Sequence, residues 1–318
     1  MPRIDTHHHI FPPDYLTALA SAGIQDSGGH PEPDWSEELM FEAMDQLDIA
    51  TAIMSVSTPG VSFLPNPADA AALARDINDY STALVASNPQ RCGFFATIPT
   101  PHITESIAEA ERALDDLHAD GVVLLANSAG IYNSAGTYLG EPGQEDLFAC
   151  LDQRAAVVFI HPNDLPGPRL ASISPFVADF LLDSVRAAYL LVRNGIRRQY
   201  PNIKFILSHA GGFVPYVSYR LAMVASTENG RAIADNLEDF ASFYFDTASS
   251  STAASLPSLL AFAKPGHVIY GSDFPYSTVE GTKLNDAGLD DFAGLDATAR
   301  EAIERTNARV ILPRLDRA

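Results

Sequence analysis

The sequence predicts an α/β fold, a (β/α)8 barrel formed by a single domain over residues 1–318. Short, β-branched apolar runs recur eight times along the chain, and segments with helical spacing of apolar residues separate them. Most of these runs are continuously apolar, which is typical of parallel strands buried on both faces. A chain of 318 residues is long enough for one barrel with a full core.

The elements follow one another in the order that a barrel requires. Strands are predicted at residues 3–10, 52–58, 92–99, 121–127, 157–162, 204–210, 243–248 and 267–273. Helices are predicted at residues 35–47, 68–88, 104–118 and 179–200. Long loops at 128–143 and 163–175 follow strand ends, where barrels build their sites, although plain surface connections are the alternative. A doubly wound open sheet is the alternative fold, but no Gly-rich phosphate loop follows the first strand.

Composition excludes several classes of partner. The net charge of −20, from 40 acidic and 20 basic side chains, argues against nucleic acid and anionic membranes. An anionic substrate therefore needs a local positive centre, which a bound cation supplies. Cys92 and Cys150 lie in apolar surroundings and are predicted to be free thiols. The apolar runs are too short to cross a bilayer and no signal peptide is evident, so a cytoplasmic protein is predicted.

Polar residues interrupt or close several of the predicted apolar strands. His7 and His9 lie in the first strand, and His161, His209 and Asp273 end the fifth, sixth and eighth. All of these strand ends converge on one face of a barrel, and a metal ion satisfies such buried groups together. His7 and His9 share one face of their strand, because side chains alternate along it. Nitrogen-rich ligation favours zinc, with manganese and iron also compatible.

Four motifs make a resemblance specific. The chain resembles the amidohydrolase superfamily in IDTHHHIFPPDYL, FIHPN, ILSHAGGFVPY and YGSDFPYS, which are spread over nearly its whole length in the order found in that superfamily. Within it, the chain is similar to the branch of aminocarboxymuconate-semialdehyde decarboxylase and the non-oxidative aromatic acid decarboxylases. The opening motif and PDWSEELMFEAMDQLDIATAIMSVSTPG look closest to the 6-methylsalicylate decarboxylase group.

The resemblance implies a distorted, amidohydrolase-like TIM barrel and a set of site residues. It implies one divalent metal ion with ligands at His7, His9, His161 and Asp273. It also implies that His209 is catalytic. Arg220 falls where the semialdehyde decarboxylases have an arginine that binds the substrate carboxylate of the neighbouring subunit, so a homodimer is implied.

Two absences refine the expected site. The fourth strand, GVVLLAN, lacks the lysine that bridges two metals in many amidohydrolases, so one metal ion is expected. The semialdehyde decarboxylases carry a second arginine for a dicarboxylate, but this chain has no arginine between Arg3 and Arg75. A less charged aromatic carboxylic acid, such as an alkylated hydroxybenzoate, is therefore the expected substrate.

The predicted activity is metal-dependent, non-oxidative decarboxylation, with 6-methylsalicylate converted to m-cresol and carbon dioxide. Asp273, or a water that it positions, is expected to protonate the ring carbon, and His209 to hold Asp273. Phe213 and Phe274 are expected to bind the aromatic ring, and Phe11 and Tyr276 are further candidates for its walls. One alternative is a hydrolase of a lactone or amide that uses a metal-bound water. Another is a binding protein with a structural metal.

Overall fold

Eight parallel strands form the centre of the protein in its computed structural model, which describes residues 2–316. Every hydrogen-bonded neighbour in this sheet is parallel, in the order β1-β4-β5-β6-β7-β8-β9-β10. The strands are β1 (Arg3–His9), β4 (Ile49–Ser55), β5 (Cys92–Thr97), β6 (Gly121–Leu125), β7 (Val157–His161), β8 (Lys204–Leu207), β9 (Tyr244–Asp246) and β10 (Val268–Ile269). This confirms the predicted (β/α)8 barrel.

Hydrogen bonds beyond the end of β10 close the barrel against β1. The amide of Thr6 donates to Tyr270 O at 3.0 Å, and the amide of His9 donates to Phe274 O at 2.7 Å. In the other direction, the amide of Asp273 donates to His7 O at 2.8 Å. The first and last strands therefore meet along the residues that carry the predicted metal ligands.

Helices connect successive strands on the outside of the barrel. They are α1 (Pro13–Ser21), α2 (Glu37–Gln46), α3 (Pro67–Ser87), α4 (Ile103–Glu111), α5 (Glu145–Gln153), α6 (Asp179–Arg193), α7 (Ile196–Gln199), α8 (Val214–Asn229), α9 (Ile233–Ala241), α10 (Leu256–Phe262), α11 (Val279–Asp290), α12 (Ala297–Glu301) and α13 (Asn307–Ile311). The prediction of one continuous helix over 179–200 is wrong, because two helices lie there. Gly195 adopts a left-handed φ of 76° and separates α6 from α7. Within residues 2–316, no helix has the length and apolar character needed to cross a membrane.

Two hydrophobic cores stabilise this arrangement. The larger core fills the space between the outer face of the sheet and the helices. The smaller core takes side chains from strands all around the barrel, including Ile4, Phe95 and Ile206, and α13 packs against it. Cys92 and Cys150 are both buried and free, as predicted. The packed interior leaves only the carboxyl ends of the strands for a site, as in barrel enzymes generally.

Two short antiparallel strands, β2 (Asp26–Ser27) and β3 (His30–Pro31), form a hairpin between α1 and α2. This hairpin is not among the elements that the sequence predicts. Glycines at positions 28 and 29 supply the left-handed backbone that such a tight turn requires. The hairpin lies at the mouth of the cavity described below.

A buried ion cluster at the opposite end of the barrel joins the two ends of the chain. Arg3, the first residue of β1, lies 2.7 Å from Asp286 Oδ2 and 2.9 Å from Glu304 Oε1. These three side chains are at most 11% exposed. Burial raises the pKa of Asp286 to about 6, although Arg3 acts in the opposite direction. Removal of Arg3 therefore leaves two buried carboxylates without their cation.

We expect Arg3→Met to lower the free energy of unfolding by about 3–5 kcal/mol, because an uncompensated charge is left in the interior. This deficit shrinks as the pH falls toward about 6, because loss of Arg3 raises the pKa of Asp286 above its wild-type value of about 6, and the folded variant then binds a proton that the folded wild type does not. Urea denaturation at several pH values measures both effects. The matched control is Arg193→Met, whose pair with Glu228 is 36% and 42% exposed, with a loss below about 1 kcal/mol. An equal loss in both variants would contradict the interpretation.

Candidate metal centre and active-site cavity

Four predicted side chains meet at the carboxyl ends of the strands. One ligand atom from each of His7, His9, His161 and Asp273 lies within 4.8 Å of the other three. The three imidazoles are buried, and Asp273 is partly open to the cavity. Three imidazole nitrogens and one carboxylate oxygen suit zinc and also other divalent transition metals. These residues therefore form a metal-binding site.

Contacts behind the imidazoles fix the orientation of each ring. His7 Nδ1 donates to Asp246 Oδ2 at 2.7 Å. The Nδ1 atoms of His161 and His9 face backbone carbonyl oxygens at 2.8 and 3.3 Å. Because a carbonyl or carboxylate oxygen only accepts, each ring carries a proton on Nδ1, which leaves Nε2 as the atom that can bind a metal ion. The Nε2 atoms of His7 and His9 lie 3.0 Å apart, so both can reach one metal ion.

The electrostatics of the centre favour a positive charge. Burial by itself lowers the pKa of His7, but Asp246 and Asp273 outweigh it and raise this pKa to about 10. Burial lowers the pKa of His9 to about 4, and burial with the neighbouring imidazoles holds the pKa of His161 well below its usual value. Burial raises the pKa of Asp273, but His7 more than reverses this and the pKa lies well below its usual range. A divalent cation that binds here would displace the Nε2 proton of His7, whereas His9, His161 and Asp273 are already deprotonated.

His209 and Asp273 form a pair at the edge of the metal centre. His209 Nε2 lies 3.3 Å from Asp273 Oδ2, while Oδ1 of the same carboxylate lies 3.2 Å from His7 Nε2. Both members of the pair have left-handed backbones, with φ of 53° and 65°. Such conformations are uncommon for residues other than glycine and concentrate at functional sites. Asp273 therefore connects the metal centre with a histidine that also borders the cavity.

A cavity of about 880 Å³ opens above this pair and His161. Its volume lies within the range of about 300–1,000 Å³ that is typical of sites for small organic ligands. One side is apolar, with Phe176, Val177, Phe180 and Leu181, and the other carries serines and threonines of segments 249–255 and 277–278. None of the described residues that line it is a lysine or arginine. Positive charge for an anionic ligand must therefore come from the metal centre and its histidines.

The hairpin borders the cavity through Ser27 and His30, and it contacts both the loop 163–175 and α6. Arg169 in this loop lies 2.7 Å from Asp26 Oδ1 in the hairpin. The ring of Phe180 covers Gly28 so closely that a Cβ there would lie 2.1 Å from a ring atom. These contacts hold the hairpin against the loop and against α6 beside the cavity.

Other predicted residues lie farther from the cavity. His8 is fully buried, stacks on Phe274 with ring centroids 5.0 Å apart, and lies 2.8 Å from Asp5 through Nδ1. Phe274 therefore contacts His8 and is not among the residues lining the cavity, and neither is Phe213, which packs against the larger core. Arg220 is exposed on α8. The predicted roles of Phe213, Phe274 and Arg220 in substrate binding stay predictions.

Sequence reasoning missed two kinds of site residue. Asp246 ends β9 in the same way that His161 ends β7, so the rule that found His161 also applies to it. His30 also lines the cavity, but no signal in the sequence singles out the hairpin that carries it, whereas Tyr276, which also lines the cavity, was already a candidate. The hairpin has neither an apolar periodicity nor a strand of ordinary length.

A buried centre of three histidines and one aspartate at the carboxyl ends of a parallel barrel defines a metal-dependent barrel enzyme. The family model described as Amidohydrolase matches residues 4–314. The chain therefore belongs to the amidohydrolase family, which confirms the resemblance in its motifs.

Individual relatives agree with this membership. The chain is 39% identical to 6-methylsalicylic acid decarboxylase of Penicillium expansum, over 86% of this chain and 85% of that protein. The crystal structure of an amidohydrolase II superposes with a TM-score of 0.89 and 30% identity, covering 98% of this chain and 99% of the other. A dihydroxybenzoic acid decarboxylase from Polaromonas, solved with manganese and the inhibitor 2-nitroresorcinol, shares the fold at a TM-score of 0.81 and 19% identity, covering 99% and 98%.

We expect Asp246→Asn to weaken metal binding by about 10–100-fold, the usual effect of removing a partner behind a ligand. The asparagine amide donates to His7 Nδ1, and this moves the ring proton to Nε2, where the lone pair is needed. Titration of the metal-free protein with zinc under chelator competition measures the affinity.

Two further variants bracket this result. His161→Ala removes a ligand and sets the lower limit, and Asp235→Asn makes the same acid-to-amide change at an exposed position of α9. An unchanged affinity in Asp246→Asn would show that its carboxylate does not orient His7.

Proposed function

We propose that this chain is a metal-dependent, non-oxidative decarboxylase of a hydroxybenzoate-type acid, with 6-methylsalicylate as the substrate and m-cresol and carbon dioxide as the products. The observation that carries the proposal is the position of the Asp273–His209 pair, between the metal centre and the cavity. The similarity to 6-methylsalicylic acid decarboxylase over most of both chains supports the choice of substrate.

We assign the metal to His7, His9, His161 and Asp273 and propose one zinc ion, because nitrogen donors dominate the set. Manganese, which the Polaromonas relative contains, is the main competitor. When bound, the divalent cation supplies Lewis-acid chemistry toward the carboxylate and ortho hydroxyl of the acid. Elemental analysis of the purified protein identifies the metal.

The chain's own residues supply the proton. Asp273, or a water that it positions, delivers a proton to the ring carbon that bears the carboxylate. The bond from this carbon to the carboxyl carbon then breaks, its electron pair restores the aromatic ring, and carbon dioxide leaves. His209 holds Asp273 Oδ2 during this exchange and borders the cavity itself. The balance needs one proton from solvent for each turnover and no oxidant.

The lining of the cavity supports an acid with a single carboxylate. No described lysine or arginine faces the space, so a second carboxylate would lack a partner there. The apolar side around Phe176 and Phe180 suits a ring with an alkyl substituent. Phe213, Phe274 and Arg220 remain proposed contributors to substrate binding.

We propose that the chain functions as a homodimer in the cytoplasm and that residues 1–318 act as one domain. The support for a dimer comes from α8, where Tyr216 is 84%, Tyr219 62% and Met223 42% exposed. Residues three, four and seven positions apart share one face of a helix, so Arg220 lies within the same apolar strip. An exposed apolar strip of this kind is typical of a surface that contacts another chain.

We expect the metal-loaded protein to release carbon dioxide and m-cresol from 6-methylsalicylate. His209→Asn and His161→Ala should lower kcat by at least about 100-fold, because proton transfer and the metal are respectively impaired. Chromatography of the products with hydroxybenzoates, lactones and amides as substrates measures the activity. Turnover of a lactone or amide, with every acid unchanged, would establish a hydrolase instead.

We expect the wild-type protein to elute as a dimer, and Tyr216→Glu combined with Tyr219→Glu to give a monomer, because two charges then lie in the apolar strip. Light scattering coupled to size exclusion measures the mass. Leu284→Glu is the matched control, since this residue is 79% exposed on α11 and lies outside the strip. A monomeric wild-type protein would refute the dimer.

A further inference from the structure

Glu32, which directly follows the hairpin, is a carboxyl group that the proposed mechanism does not use. Its Oε1 is buried and accepts no hydrogen bond from the described residues, while its Oε2 lies 3.5 Å from the hydroxyl of Tyr276. No described basic side chain lies within ion-pair distance of it. Burial raises the pKa of Glu32 to about 7, and the nearby Asp26 adds to this shift. Glu32 is partly buried, and a carboxyl group withdrawn from water without a cationic partner lowers the stability of the fold, so its presence calls for another explanation.

Tyr276 connects Glu32 with the cavity. Its side chain lines the cavity, and its ring makes edge contacts with three aromatic neighbours. The ring centroids lie 5.6 Å from His9, 5.8 Å from Phe11 and 5.4 Å from His30. The phenol donates a long hydrogen bond to Glu32, and Ser27 and Ser57 also lie beside its oxygen, so the end of the side chain farthest from the backbone is held by polar contacts. Tyr276 thus presents an aromatic ring beside the metal ligand His9, and Glu32 contacts its hydroxyl.

We propose that Tyr276 is the wall against which the aromatic ring of the ligand binds, and that Glu32 is the positioning residue that holds this wall. The inference rests on the proposed function for one point only, the aromatic nature of the ligand. A ring held by the metal centre through its substituents lies next to His9 and therefore within reach of Tyr276. Offset and edge-on packing between two rings is favourable in this geometry.

The carboxylate oxygen of Glu32 matters because its hydrogen bond restricts the rotation of the Tyr276 side chain before the ligand binds. An unheld tyrosine side chain must be immobilised when the ligand binds, which typically weakens affinity by about three- to tenfold. This effect is the same in the ground state and the transition state, so it appears in KM and leaves kcat nearly unchanged. A purely structural role of Glu32 would instead alter stability without changing KM.

A double-mutant cycle on the metal-loaded protein tests this inference. The probe is 2-nitroresorcinol, which has no carboxylate to lose, and calorimetry gives its Kd. We expect Glu32→Leu and Tyr276→Phe each to raise Kd by about three- to tenfold, and the double variant to raise it no further, because both remove one hydrogen bond. Glu32→Gln keeps an acceptor oxygen and should stay within about twofold of the wild type.

The chain offers a matched control pair. Tyr80 donates to Glu37 Oε1 at 2.8 Å, and neither residue lines the cavity. Glu37→Leu and Tyr80→Phe remove the same kind of hydrogen bond and should leave the Kd of the probe unchanged. Circular dichroism and thermal melting show whether each variant is folded, and the mild Tyr276→Phe and Glu32→Gln changes keep the cycle interpretable if Glu32→Leu is unstable.

The outcomes separate this inference from the proposed function. The inference would be overturned if the effects of Glu32→Leu and Tyr276→Phe on Kd multiply in the double variant. It would also be overturned if neither variant changes Kd. Both conclusions hold even if 6-methylsalicylate is decarboxylated. A wild-type protein that does not bind the probe would overturn it as well. Coupled effects on Kd without turnover of any acid would support the wall and refute the decarboxylase.

Discussion

Closure of the barrel between its first strand and the segment after its last strand is the constraint on which the site depends. Hydrogen bonds between the backbones of His7 and Asp273, and of His9 and Phe274, place residues from opposite ends of the chain side by side. Asp5 adds to this seam by accepting from the amide and hydroxyl of Ser272 at 3.0 and 2.5 Å. The ligand distances follow from this seam, since two ligands lie on one side of it and one on the other.

Charge is distributed unevenly between the surface and the site. The chain carries a net charge of −20, and the described part of the cavity lining contains no lysine or arginine. Asp246 and Asp273 concentrate negative charge at the metal-binding site, so within the described lining an anion would be attracted most strongly there once a cation occupies the site. The remainder of the described lining offers mainly apolar, aromatic and hydroxyl groups.

The sequence predicted the fold well because most strands are buried apolar runs, and polar residues interrupt or follow several of them. Every predicted strand overlaps an observed one, and the metal ligands were found for the same reason. Phe274 was expected in the cavity from its position next to Asp273. The left-handed φ of Asp273 breaks the alternation of side chains, and Phe274 contacts His8 instead. The hairpin and Glu32 escaped prediction because their placement depends on contacts with Arg169 and Tyr276, which are distant in sequence.

The hairpin affects how the substrate range of this enzyme can change during evolution. None of the residues from Asp26 to Pro31 belongs to either hydrophobic core, and the hairpin is held instead by polar contacts and by the packing of Phe180 on Gly28. It nevertheless places Ser27 and His30 on the cavity wall. Substitutions there alter which molecules enter without disturbing the barrel seam, apart from Gly28, whose place under Phe180 admits no side chain. Substrate range can therefore drift during evolution while the metal chemistry is inherited unchanged.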